Sequence, residues 1–183
     1  MVVHTKDVDL MAESIENLNI AEVQERVQRA IDIFGQEERE LLLPLGSEQN
    51  LAQRLARWLE EEFPTWNVDC EYNRIVDGTS QTARVKVANL LMKRVKKGFI
   101  HLNEPKETKV VPDIIIHQRG PGENLLAIEV KKSNNRAEIE FDFEKLRAYR
   151  DYPPLNYRFS LFIRFQELQE NGEFVAEMVF SGQ

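Results

Sequence analysis

The chain has 183 residues, 42% of them hydrophobic and 30% charged, a formal net charge of −7 and one cysteine. That length suits a single domain with one sizeable core, and the longest apolar runs are far too short to cross a bilayer. Cys70 alone excludes an internal disulfide and a cysteine-based zinc site, and the acidic start lacks the basic, then apolar, pattern of a secretory leader. The cytoplasm is the expected address, with no membrane partner.

The charge is unevenly spread. Residues 1–70 hold six basic and fifteen acidic side chains, whereas residues 84–109 hold eight basic and two acidic ones, among them Lys93 and Lys96. An acidic protein can therefore carry a basic face able to meet phosphates. A solvated lysine-rich segment explains the same charges, so they do not decide the partner.

Apolar residues Ile20, Val23, Val27, Ala30, Ile31, Phe34 and Leu41 recur at three- and four-residue steps, predicting a helix over 20–43. Ser47 is a good N-cap for a second helix running to about residue 62, with Leu51, Ala52, Leu55, Trp58 and Leu59 as its inner stripe. From Trp66 the period changes to two, as in a strand with Trp66, Val68, Cys70 and Tyr72 on one face. Residues 75–109 give no clear pattern beyond a turn signal at Asp77-Gly78; 85–95 fits a helix or a strand.

Residues 110–117 and 125–132 read as two apolar strands joined by a turn containing Gly120, Pro121 and Gly122, which suits an antiparallel hairpin. Residues 138–150 follow as a helix, with Ile139, Phe143, Leu146 and Tyr149 on one side. Strands over 157–165 and 174–180 close the chain around an Asn171-Gly172 turn. Helices flanking a mixed sheet, an α/β (α+β) fold, bury both faces of such apolar strands. An N-terminal helical extension over 1–46 and a core over 47–183 make up one domain.

The two most apolar strands carry charges where a strand buried on both faces should have none. Asp113 precedes three isoleucines; Glu129 and Lys131 follow Leu125–Ile128. A buried carboxylate is unfavourable by several kcal/mol unless paired or bound to metal. Residues two apart on a strand share a face, so Glu129 and Lys131 point together, and a hairpin brings Asp113 alongside. Two carboxylates with a backbone carbonyl and water suit Mg²⁺ or Mn²⁺, and an adjacent lysine can orient a water and stabilise charge on a phosphate. Alone, Asp113 reads as an ordinary strand-start aspartate, and Glu129 with Lys131 as an exposed ion pair worth little. Their company favours the site.

Pro112-Asp113, fifteen intervening residues and Glu129-Val130-Lys131 resemble the signature of PD-(D/E)XK, or restriction-endonuclease-like, nucleases. The order helix, three strands, helix, strand from Ser47 to Phe165 is similar to that family's core. The strings CEYNR, PDIIIHQRG and NLLAIEVKK are similar to small bacterial members. The resemblance implies a metal-dependent nuclease acting on phosphodiester bonds, with DNA as the substrate and defence or repair as settings. It implies Asp113 and Glu129 as ligands of Mg²⁺ or Mn²⁺, Lys131 as the group orienting the nucleophile, and Glu48 as an acid from the first core helix. Glu48 also reads as a first-turn residue helped by the helix dipole.

Nucleic-acid contacts are expected from Lys93, Lys96, Lys132, Asn134, Arg136 and Lys145. Lys145 and Tyr149 read equally as a solvated helix face paired with Asp142. His117 shares the face of Asp113 but lies over ~10 Å along the strand, which fits a structural or substrate-contacting role better than a ligand. The rival function is a catalytically inactive module of the same fold that binds nucleic acid or protein, its acidic helix packing on a partner or, in a homodimer, on a second copy.

Overall fold

A computed structural model describes residues 18–43, 46–70, 74–77, 80–84, 111–119, 123–133, 139–151, 155–169 and 173–182. The expected contacts Lys93, Lys96, Asn134 and Arg136, the turns at 120–122 and 171–172, and most of the basic segment lie outside these residues.

Helix α1 is Ile20–Glu37, opened by a reciprocal cap in which the Asn19 side chain accepts from Glu22 N–H and Glu22 accepts from Asn19 N–H. It stops short of the expected residue 43. Glu38 leaves helical geometry at φ −107°, a short 3₁₀ turn covers Arg39–Leu41, and Leu42, not Leu41, becomes the fully buried residue. Arg54 Nη2, 2.7 Å from Glu38 Oε1, ties this turn to the next helix.

Helix α2, Glu48–Glu62, begins where expected, with Ser47 Oγ accepting from Asn50 N–H. Its inner stripe of Leu51, Ala52, Leu55, Ala56 and Leu59 is buried, and Trp58 is only partly so.

Five strands form one mixed sheet: β1 (Asn67–Cys70), β4 (Ile114–His117), β5 (Asn124–Lys132), β6 (Phe159–Phe165) and β7 (Ala176–Gly182), in spatial order β1-β4-β5-β6-β7. A separate antiparallel pair, β2 (Arg74–Asp77) and β3 (Ser80–Arg84), occupies part of the segment whose pattern was unclear. All neighbours in the main sheet are antiparallel except β5 and β6. That parallel pair needs a crossover, which helix α3 (Ile139–Asp151) supplies.

The two faces of the sheet are unequal. Ile114, Ile116, Leu126, Ile128, Val130, Leu161 and Ile163 face α1 and α2 in the main core, which α1 shares with the sheet. Ile115, Ala127 and Phe162 face Leu146 and Tyr149 of α3 in a smaller cluster. Each buried isoleucine contributes about 1.5–3 kcal/mol, so Ile114, Ile115 and Ile116 pin β4 between two layers. Among the described residues no helix is long and apolar enough to cross a membrane.

His117 is 5% exposed, with Nε2 2.8 Å from Asp69 Oδ2; Arg119 donates to the other Asp69 oxygen at 2.8 Å. Burial opposes ionisation of Asp69, but its bonds to His117 and Arg119 prevail and hold its pKa below the usual value. These contacts tie β1 to β4 and give His117 a structural place. Asp69→Ala is expected to lower unfolding free energy by about 1–3 kcal/mol in denaturant titrations, without changing any activity measured per folded molecule.

Candidate active site

The site lies on the α3 side of the sheet, at the end of β5. Pairing of Ile114 with Ile128 in the antiparallel register places Asp113 level with Glu129. The strand expected from residue 110 begins only at Ile114, and Asp113 sits in a bend before it. Its side chain takes over a strand's role there: Asp113 Oδ2 accepts from Val130 N–H at 2.7 Å. One oxygen is thus fixed by the backbone of β5 itself.

Glu129 is 1% exposed. Tyr149 Oη donates to its Oε1 at 2.9 Å, and Lys145 Nζ bonds to its Oε2. Lys145 also lies 2.7 Å from Asp142 Oδ1. Lys131, two residues beyond Glu129 on the same face, places Nζ 3.1 Å from Asp142 Oδ2 and 3.6 Å from Glu48 Oε2. Glu48 reaches over the end of the sheet from the first turn of α2, accepting from Lys132 N–H at 3.2 Å. Lys132 itself is half-buried.

Lys131 and Glu48 thus touch, and Asp113 lies within electrostatic reach of Glu129, Lys131 and Glu48. Lys145, read either as a nucleic-acid contact or as part of a solvated face paired with Asp142, does pair with Asp142 but is largely withdrawn from solvent, because α3 packs on β5 and β6 and turns this polar stripe inward. Asp142 and Tyr149 join the site with it. Their spacing of three and four residues around Lys145 is a helix-face signal visible in the sequence, but only with Leu146 and Tyr149 assigned to the core does the stripe point to β5.

Four carboxylates surround two ammonium groups, an excess of two negative charges when all are ionised, in a largely buried cluster. Burial, then the nearby Asp113 charge, push the Glu129 pKa up to about 8 despite Lys145. Burial also raises Asp113 against the pull of the Val130 N–H and both lysines. For Lys145 burial works downward but Glu129 and Asp142 outweigh it, and Lys131 is raised in the same way by Asp142 and Glu48. The Tyr149 hydroxyl, buried and bonded to Glu129, is raised far out of reach as a base.

The same deficit of positive charge suits a small hard cation, and the oxygen donors are of the right type. Asp142 Oδ2 makes an ion pair with Lys131 but no well-directed hydrogen bond. Among the described residues, no group of three or more His, Cys, Asp or Glu side chains is arranged to hold a metal ion; the two ammonium groups stand between the carboxylates. Comparison of the chain with protein families, with curated proteins and with solved structures finds no match in any of them.

Glu129 gives a pH test. Its folded pKa lies above its unfolded value, so the stabilising effect of its proton is complete below pH 4.5 and is lost as pH rises through about 8. Denaturant unfolding in metal-free buffer should show stability falling across that window, and Glu129→Gln should flatten the fall. An unchanged slope in the variant contradicts the assignment.

Proposed function

We propose that this chain is a metal-dependent nuclease with a restriction-endonuclease-like core, hydrolysing phosphodiester bonds, with DNA as the substrate. The observation that carries the reading is the meeting of Asp113, Glu129, Lys131 and Glu48 at one end of β4 and β5. The succession α2, β1, β4, β5, α3, β6 supports it, as does the spacing of the two halves of the motif.

In this reading Asp113 and Glu129 hold Mg²⁺ or Mn²⁺, with Glu48 supporting the metal or its water. The cation would supply Lewis-acid polarisation of a phosphoryl oxygen and a more acidic water. The chain's own groups set the geometry. Val130 N–H and Tyr149 Oη fix one oxygen each of Asp113 and Glu129, and Lys145 holds the second oxygen of Glu129. Lys131 stays charged, because Asp142 and Glu48 hold its proton. It therefore acts as a cation that orients the attacking water and stabilises charge on phosphate, not as a base.

The rival reading, an inactive module that keeps the fold and binds nucleic acid or protein, draws on one observation: the Lys145 ammonium already sits on Glu129. Cleavage decides between them. Purified protein incubated with plasmid, linear and single-stranded DNA and with RNA should cut DNA only when Mg²⁺ or Mn²⁺ is present. Asp113→Ala and Lys131→Ala should each lower the rate by about a hundredfold or more. No cutting of any substrate, or cutting unaffected by both changes, sinks the nuclease.

Tyr149→Phe removes the hydroxyl that orients Glu129 without changing charge. It is expected to weaken Mn²⁺ binding by about 10–100-fold in calorimetry, with the fold intact by circular dichroism.

A further inference from the structure

Lys145 stands where the proposed site needs its own charge to be low. Its ammonium is bonded to Glu129 Oε2, the oxygen not taken by Tyr149, and Glu129 is the buried ligand of the pair Asp113 and Glu129. A divalent cation at that oxygen and the ammonium group on it repel each other strongly in a site screened from water. Metal binding there disfavours the lysine's place on Glu129.

Asp142 gives it a place to go. That carboxylate is 2% exposed and already lies 2.7 Å from Lys145 Nζ through Oδ1. Asp142 is one helical turn before Lys145 on α3, so the contact survives a swing of the flexible four-carbon stem. The main-chain positions need not move.

We propose that Lys145 is a tethered competitor for the divalent cation, so that metal loading is an exchange on Glu129 in which Asp142 retains the displaced ammonium. This rests on the nuclease reading for the metal itself and adds a residue that sets its affinity. Without metal, the lysine partly offsets the negative excess of the cluster and holds α3 against β5. With metal, the ammonium leaves Glu129 and stays with Asp142.

The test is Mg²⁺ titration calorimetry on the full chain at about pH 9, above the titration of Glu129. Wild type, Lys145→Met and Lys145→Arg are compared, each with and without Asp113→Ala. Lys145→Met should bind Mg²⁺ about tenfold more tightly than wild type or better, Lys145→Arg should stay near wild type, and Asp113→Ala should abolish binding in every background. Binding by wild type that depends on Asp113 but is not tightened in Lys145→Met overturns the competitor and leaves the metal site standing. Absence of binding in all three overturns the metal reading and the competitor with it. Should the Met variant fail to fold, wild-type protein with ¹³C-labelled lysine answers the same question. The Lys145 signal should shift as Mg²⁺ is added; a signal that stays in place while the metal binds through Asp113 overturns the exchange.

Discussion

A carboxylate in the middle of a sheet covered on both sides is among the least favourable groups a fold can contain, and Glu129 is such a group. Its neighbours along β5 are apolar, and water cannot reach it to offset the lost hydration. Whatever else the fold does, it must bring partners to this side chain. Tyr149 and Lys145 come from the helix above, Asp113 approaches from the adjacent strand and aggravates the problem, and Asp142 steadies the lysine that relieves it.

The scaffold explains why these groups meet there. β5 and β6 run parallel, so the chain must cross the sheet between them, and the crossing helix necessarily lies over β5. The other face carries the larger core, in which α1 and α2 pack on Ile114, Ile116, Leu126, Ile128 and Val130. That core fixes β4 and β5 firmly, and the thinner layer under α3 leaves room for polar side chains at its end. Ser47 starts α2 at the point that lets Glu48 reach the amide of Lys132 over the end of the sheet. Positioning therefore comes from the apolar layer, and the charged cluster sits at the end of the thinner one.

Much of this is legible in the residues themselves. Period-two alternation places Glu129 and Lys131 on one face, a run of three isoleucines marks β4 as buried, and Ser47 marks the start of α2. What local pattern cannot supply is the partner of an inward-facing polar stripe. Asp142 and Lys145 satisfy each other at helical spacing, so they read as a surface pair until the crossover helix is laid on the sheet. The early end of α1 is likewise beyond local pattern, since the apolar periodicity reaches Leu41 whereas the chain leaves the helix at Glu38, which pairs with Arg54 of α2. Asp113 before Ile114 looks like the first residue of a strand; only the capture of Val130 N–H by its side chain shows that it replaces a strand residue.

The most direct test of the idea that this cluster exists to take up a divalent cation is crystallography with Mn²⁺, read by anomalous scattering. An anomalous peak lying between Asp113 and Glu129, within coordination distance of an oxygen of each, with the Lys145 ammonium moved off Glu129, is the expected result. A difference map with no peak there, and Lys145 still bonded to Glu129 in saturating Mn²⁺, would contradict it.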